Sequence, residues 1–295
     1  MSYDKIVEFW KNKHIKTGAD LELALNGQLI NFAYHSGKIE NEKITYNDTR
    51  EIFERDSVSS YTGDLRTLFE IRNAKDSIYY MLSAFDKQRD LDADLLKSFH
   101  YELTKNTYDR HRYNQGERPG EYKKHDYVTG REEVGALPED VAAEIDELFL
   151  DLKQTNLHHN PQNILTAAVY FHAKIENIHP FADGNGRTGR LAANYWLVRH
   201  NHPPIIIFEE DRKSYYQALE KWDSVQDLKP LKNFFLEQLE KTWQKQLARH
   251  APRKHIETIN DKENLAESVS NINAGIGLSK VYNDEDEMWK DIEEH

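Results

Sequence analysis

From Asn160 to Trp196 the chain spells out two buried helices joined by a loop of unusual composition, and this pair limits what the rest can fold into. Asn160 before Pro161 reads as an N-cap followed by a first-turn proline, whose locked φ suits a helix start. Leu165, Ala168, Val169, His172 and Ile175 continue a mostly buried helix until Pro180 stops it. A sharp turn through Asp183, Gly184, Asn185 and Gly186 follows, and Leu191, Ala192, Tyr195 and Trp196 restart helical spacing at once. Helices apolar on most sides need other helices around them.

The flanking sequence supplies those partners. Leu21, Leu25, Leu29 and Phe32 share one helical face and predict a helix over 21–32. Further amphipathic stretches run over 65–85 and 91–103, another follows Pro138, and two more cover 213–222 and 231–248. A strand signal lies over Tyr122–Thr129, between Gly120 and Gly130, and suits a small hairpin or flap. The expected fold is therefore all-α, a helical bundle with a small β-hairpin flap.

Charge narrows the function. With 39 Lys+Arg against 51 Asp+Glu, a net charge of -12, the chain is not a nucleic-acid-binding module by bulk electrostatics. The sequence holds no apolar run long enough to cross a membrane and no secretory pattern at its start, so a cytoplasmic location is expected. No cysteine occurs, which removes thiol nucleophiles and thiolate metal sites. His158-His159 and His200-Asn201-His202 lack a carboxylate at useful spacing, and no zinc is expected.

The twelve residues His179-Pro180-Phe181-Ala182-Asp183-Gly184-Asn185-Gly186-Arg187-Thr188-Gly189-Arg190 read as a phosphate site. Glycines on either side of Asn185 let backbone N–H groups approach an anion, and the new helix begins there with its positive dipole end facing the same point. Asp183 offers a hard oxygen to a Mg2+ ion shared with substrate phosphates. Arg187 and Arg190, three apart on the helix, can fork onto successive phosphates. His179, with an ordinary pKa of about 6.5, suits a general base. A plain helix–turn–helix with solvated arginines would not explain why nearly every loop residue serves phosphate chemistry.

These residues resemble the signature of the Fic family, His-Pro-Phe-any-Asp/Glu-Gly-Asn-Gly/Lys-Arg with a second Arg three residues later, at every fixed position. The resemblance covers roughly residues 20–250 and implies an all-helical fold and transfer of AMP from ATP to a hydroxyl of a target protein, the protein itself included. It implies that His179 deprotonates the hydroxyl and Asp183 holds Mg2+. Asn185 with the Gly184–Gly186 backbone would hold the α-phosphate, and Arg187 and Arg190 would grip the β- and γ-phosphates. The phosphorylating Doc branch has Lys at the position of Gly186, so Gly favours adenylyl transfer. Asn194 and the stretch from Pro203 to Tyr216 look like family positions near the nucleoside. Tyr215 and Tyr216 either stack on adenine or pack as core aromatics, and His172 is a core histidine with a satisfied hydrogen bond. The segment between Gly120 and Gly130 resembles the family's flap, which holds a target by strand-type bonding.

A second motif lies at residues 36–41. Ser36-Gly37-Lys38-Ile39-Glu40-Asn41 fits a pattern found in Fic proteins that inhibit themselves from an N-terminal helix. Ser36 and Glu40 lie one turn apart on one face, and Asn41 is expected to take the left-handed conformation that ends the helix. The expected organisation is an N-terminal helical region over 1–60, a catalytic core over 61–250 and an acidic tail over 251–295. That tail carries 5 Lys+Arg against 11 Asp+Glu and reads either as merely solvated or as partly ordered with a short docking helix around Met288, Trp289 and Ile292. The leading expectation is an autoinhibited protein adenylyltransferase acting with ATP and Mg2+ on an unidentified protein. Removal of AMP through Glu40, a quiet nucleotide-binding regulator, and self-association all stay open.

Overall fold

In the computed structural model, which describes residues 3–59, 61–154 and 160–250, polar side chains start many of the helices. In chain order the helices are α1 (Tyr3–Lys11), α2 (Gly18–Leu25), α3 (Leu29–Glu40), α4 (Tyr46–Arg55), α5 (Leu65–Asp86) and α6 (Ala93–Thr104). They continue as α7 (Arg110–Asn114), α8 (Val141–Gln154), α9 (Pro161–Ile178), α10 (Asn185–Arg199), α11 (Arg212–Val225) and α12 (Lys229–His250). Thr17, Thr45, Asp64, Asp92, Asp109 and Asn160 each accept a backbone N–H from the first turn of the following helix, satisfying donors that the helix itself leaves unpaired.

The α9/α10 pair is the centre of the bundle. Leu165, Phe171 and Ile175 on α9 and Ala192, Tyr195 and Leu197 on α10 are fully buried, and each large apolar side chain of this kind contributes roughly 1.5–3 kcal/mol. α5 and α6 pack against α10, and α8 and α11 against α9. In the same core the rings of Trp10 on α1 and Trp243 on α12 meet edge to face, 5.2 Å apart. The extended run 203–208 lies between α10 and α12 and is tied down by side chains rather than by a neighbouring strand. Ile205 N donates to Asn194 Oδ1 (2.8 Å), Ile206 N to Thr242 Oγ1 (3.0 Å), and Phe208 N to Gln238 Oε1 (2.9 Å).

Three local expectations change. The helix expected over 21–32 is two helices, because Gly27 takes φ +81 and turns the chain between α2 and α3. The helix from Asn160 ends at Ile178, a residue before the proline is reached, since His179 is left-handed at φ 52. The hairpin expected over Tyr122–Thr129 is absent among the described residues, where the segment makes one antiparallel bridge, Thr129 with Val134. Left-handed turns at Gly130 and Glu133 keep the chain from running straight, so pairing stops after one rung. The segment is nevertheless anchored to the loop after α9: Lys123 N donates to Pro180 O and Ala136 N to Ile178 O, both at 2.9 Å. The acidic tail, and with it the short helix considered around Trp289, lies outside the described residues.

Candidate active site

The loop between α9 and α10 is shaped by its own side chains. Asn185 Oδ1 accepts from Phe181 N (2.9 Å) and its amide donates to Phe181 O (2.8 Å), closing the turn on itself. Phe181 is buried and stacks on His100 with centroids 3.7 Å apart and planes within 4°. Gly120 N donates to His100 Nδ1 (2.8 Å), so the ring proton is on Nε2 and is donated to Asp183 O (2.8 Å). Burial pushes the His100 pKa down to about 4, which keeps this tautomer neutral. The turn ends at Gly184, left-handed at φ 84, and no side chain caps α10. The first N–H groups of α10 are therefore available to an anion.

Arg190 is nearly buried, 5 % exposed, and α3 takes hold of it. Its Nε donates to Ser36 Oγ (3.0 Å), and its Nη2 donates to Ser36 O and to Glu40 Oε1, both at 2.8 Å. Nη1 is buried without a partner. Burial alone would weaken the guanidinium charge, and the adjacent Glu40 carboxylate more than offsets that. Gly186 is required by this approach: a Cβ there would collide with Glu40 Oε1 and press on Arg190 Nη1. Asn41 ends α3 in an extended conformation, φ -133 and ψ 104, not the left-handed one expected. Its amide instead donates to Glu70 Oε2 (2.7 Å) and Thr67 Oγ1 (3.0 Å), so side-chain bonds to α5 fix the chain exit.

Asp183 carries a guanidinium on each carboxylate oxygen, Arg187 Nη2 at 3.2 Å on Oδ1 and Arg66 Nη2 at 2.6 Å on Oδ2, with Arg112 Nη2 3.9 Å away. Burial works to raise its pKa, but Arg187, Arg66 and Arg112 outweigh it and hold the group below the ordinary carboxylate value. Among the described residues no cluster of three or more His, Asp and Glu side chains forms a cage. One ionised carboxylate at the mouth of an anion cradle fits an ion such as Mg2+, which takes its other oxygens from phosphates and water. His179 is half-buried; burial pushes its pKa down to about 4, the Lys123 ammonium adds to the fall, and the Glu176 backbone opposes it. Its imidazole is neutral at pH 7 and able to accept a proton.

A Fic/DOC family model matches residues 90–197, a span that runs from just before α6 through the anchored flap and the loop to α10. Residues 90–197 belong to the Fic/DOC family. It is similar to the protein adenylyltransferase Fic of Drosophila mojavensis, 33% identical over 217 residues that cover 71% of this chain and 39% of that protein. The Drosophila grimshawi protein of the same name is 32% identical over 235 residues, 77% of this chain and 44% of that one. The chain thus spans less than half the length of these curated relatives. Its fold is similar to a Fic domain containing signaling protein from Bacteroides thetaiotaomicron, with a TM-score of 0.66 at 23% identity over 82% of this chain and 94% of that one. Fic-1 from C. elegans gives a TM-score of 0.66 at 22% identity, over 84% of this chain and 72% of the other.

Within this Fic domain the remaining sequence-derived residues divide. Asn194 spends both ends of its amide on the Ile205 backbone while lining a small cavity with Ser36, Arg187 and Arg190. Tyr215 is fully buried and donates to Glu176 Oε1 (3.3 Å), and its oxygen lies 2.6 Å from His172 Nε2. No ring face is left for an adenine, so Tyr215 is a core aromatic, and His172 is its hydrogen-bonded partner. Tyr216, 40 % exposed, keeps a free surface. The Asn185 side chain is a clasp of the Fic loop, which leaves the α10 backbone as what this position offers a phosphate. Sequence reading missed His100, Arg66, Glu70 and Arg112. Arg66 and Glu70 carry the i,i+4 signature of a helix ion pair, and nothing in it points to a loop more than a hundred residues on.

Proposed function

We propose that this Fic protein is a protein adenylyltransferase whose activity is withheld by its own helix α3. The hydroxyl oxygen of a target side chain, including the protein's own, attacks the α-phosphorus of ATP while His179 accepts the hydroxyl proton. The bond from the α-phosphorus to the bridging oxygen breaks, and pyrophosphate leaves. Unpaired N–H groups at the start of α10 stabilise the charge that builds on the α-phosphate oxygens, and Arg187 and Arg190 would hold the outer phosphates. Asp183 would hold Mg2+, which when bound neutralises charge on the phosphate oxygens.

The observation that supports this reading most is the occupancy of Arg190. A buried arginine with one unpartnered nitrogen, in the second turn of a helix whose start is shaped for an anion, is satisfied on its other side by Ser36 and Glu40. Glu40 sits where a phosphate oxygen would satisfy the same fork, so nucleotide and α3 compete for one guanidinium. The names of the fly relatives add adenylyl transfer as the reaction class.

The test uses Glu40→Gly protein with ATP labelled separately at the α- and γ-phosphorus. Label from the α position should enter protein and be lost in Glu40→Gly/His179→Ala, with the γ label appearing in pyrophosphate. Entry of the γ label into protein would mean phosphorylation and would overturn the reading.

A further inference from the structure

The Asp183 carboxylate is ringed by arginines, and they differ in how easily each can leave. Arg187 is nearly buried, bonded to Asp183 and 3.5 Å from Glu70, and has no solvent to move into. Arg112 is tied to Asp109 at 2.9 Å and stays 3.9 Å from Asp183. Arg66 makes the shortest of the contacts, 2.6 Å, yet its side chain is 44 % exposed. Its planar group is steered from behind, with Nε on Glu70 Oε1 at 3.1 Å while Nη2 reaches Asp183. Glu70 in turn is buried, and its second oxygen accepts from Asn41 at 2.7 Å. A continuous path of charge-assisted hydrogen bonds therefore runs from the end of α3 to the loop: Asn41, Glu70, Arg66, Asp183.

We propose that Arg66 sets how readily the site takes its metal: it occupies the Asp183 oxygen that Mg2+ needs, and Asn41 keeps it there through Glu70. This rests on the Mg-ATP reading above. A cation approaching Asp183 must displace a guanidinium, both for the oxygen and for the like charge, and Arg66, the most exposed of the three and in direct contact with the carboxylate, swings into water most readily. Adjacent residues of α3 thus act on both halves of the site. Glu40 holds the arginine assigned to the outer phosphates, and Asn41 holds, at two removes, the carboxylate assigned to the metal. Displacing the end of α3 releases both contacts together.

The test measures binding, without turnover, in a Glu40→Gly background where Arg190 is free. The Kd of α,β-methylene-ATP is determined by calorimetry in EDTA and in saturating Mg2+, and the ratio of the two is the factor by which the metal tightens binding. Arg66→Gln should raise that factor by about three- to tenfold, the range expected on releasing a half-exposed charge-assisted pair. Asn41→Ala should raise it less, and Asp183→Asn added to Arg66→Gln should remove the rise. An unchanged or smaller factor in folded Arg66→Gln overturns the proposal and leaves the nucleotide reading intact. So does a rise that survives Asp183→Asn. Equal weakening in EDTA and Mg2+ would make Arg66 a phosphate contact and also overturns it. If no variant binds the analogue under either condition, the nucleotide reading fails and the proposal with it.

Discussion

Burial holds the His179 imidazole neutral, with its pKa pushed down to about 4, as the proposed role of general base requires. His179→Ala should lower transfer by about 10²- to 10⁴-fold, the usual share of a general base, while the Kd for nucleotide changes little because no phosphate contact is lost. Comparable loss of nucleotide affinity would reject the assignment. Between about pH 6 and about pH 8 the rate should not titrate with this group, since its neutral form dominates throughout. Asn185→Ala removes both bonds that close the loop and should cost about 1–3 kcal/mol of stability along with transfer, read from a denaturant midpoint and an initial rate. The residue types of the loop were legible in the sequence because phosphate chemistry needs them together. Asn185 as a clasp was not, since an amide suits a ligand and a loop backbone equally well. Tyr215 was ambiguous for a related reason: its burial depends on α9 and α12, which supply His172 and Phe234 from distant parts of the chain.

Helix α3 is the proposed inhibitory element, and its start depends on one backbone angle. A side chain at Gly27 would meet no neighbour, so Gly27→Ala reports the φ +81 conformation alone and should lower stability by about 1 kcal/mol in a urea titration. At its other end α3 must hold Arg190 by about 3 kcal/mol to keep activity down a hundredfold. A half-exposed Glu40 against a buried Arg190, helped by the Ser36 hydroxyl and carbonyl, is of the right kind, whereas a fully exposed pair would be too weak. Ser36→Ala should accordingly raise transfer, by less than Glu40→Gly does. Periodicity made most of the helices readable but could not see the break at Gly27, because the apolar face continues in register across the turn. The flap misled for the opposite reason. Its composition suits a strand, while its ends are bonded to Pro180 and Ile178 and its tip turns left-handed twice, which leaves room for one bridge.

Across the molecule, buried imidazoles set the response to acid. His100, His172 and His202 are enclosed, and burial pushes their pKa values down to about 4, about 3 and about 4. The native state leaves them unprotonated while the unfolded chain binds protons from about pH 6.5 downward, so unfolding takes up protons and stability falls as pH drops from about 6.5 toward about 4. Each such group supplies a slope of at most about 1.4 kcal/mol per pH unit. Glu176, raised by burial to about 7 against the pull of Arg190, works the other way above about pH 4.5. Three imidazoles outweigh it, and the melting temperature should be lower at pH 5 than at pH 7; an equal or higher value at pH 5 would contradict the assignment. The all-α class was legible because helical periods repeat along the chain. The long-range polar pairs, Arg190 with Glu40 and Arg66 with Asp183, were not fixed by any period and emerged only once the helices were packed. The proposed withholding of the transfer site by α3 acts through Arg190. It is tested most directly by the initial rate of α-labelled AMP incorporation for wild-type and Glu40→Gly protein at saturating Mg-ATP. A rise of about tenfold or more in Glu40→Gly is predicted, and an unchanged or lower rate in the folded variant would contradict it.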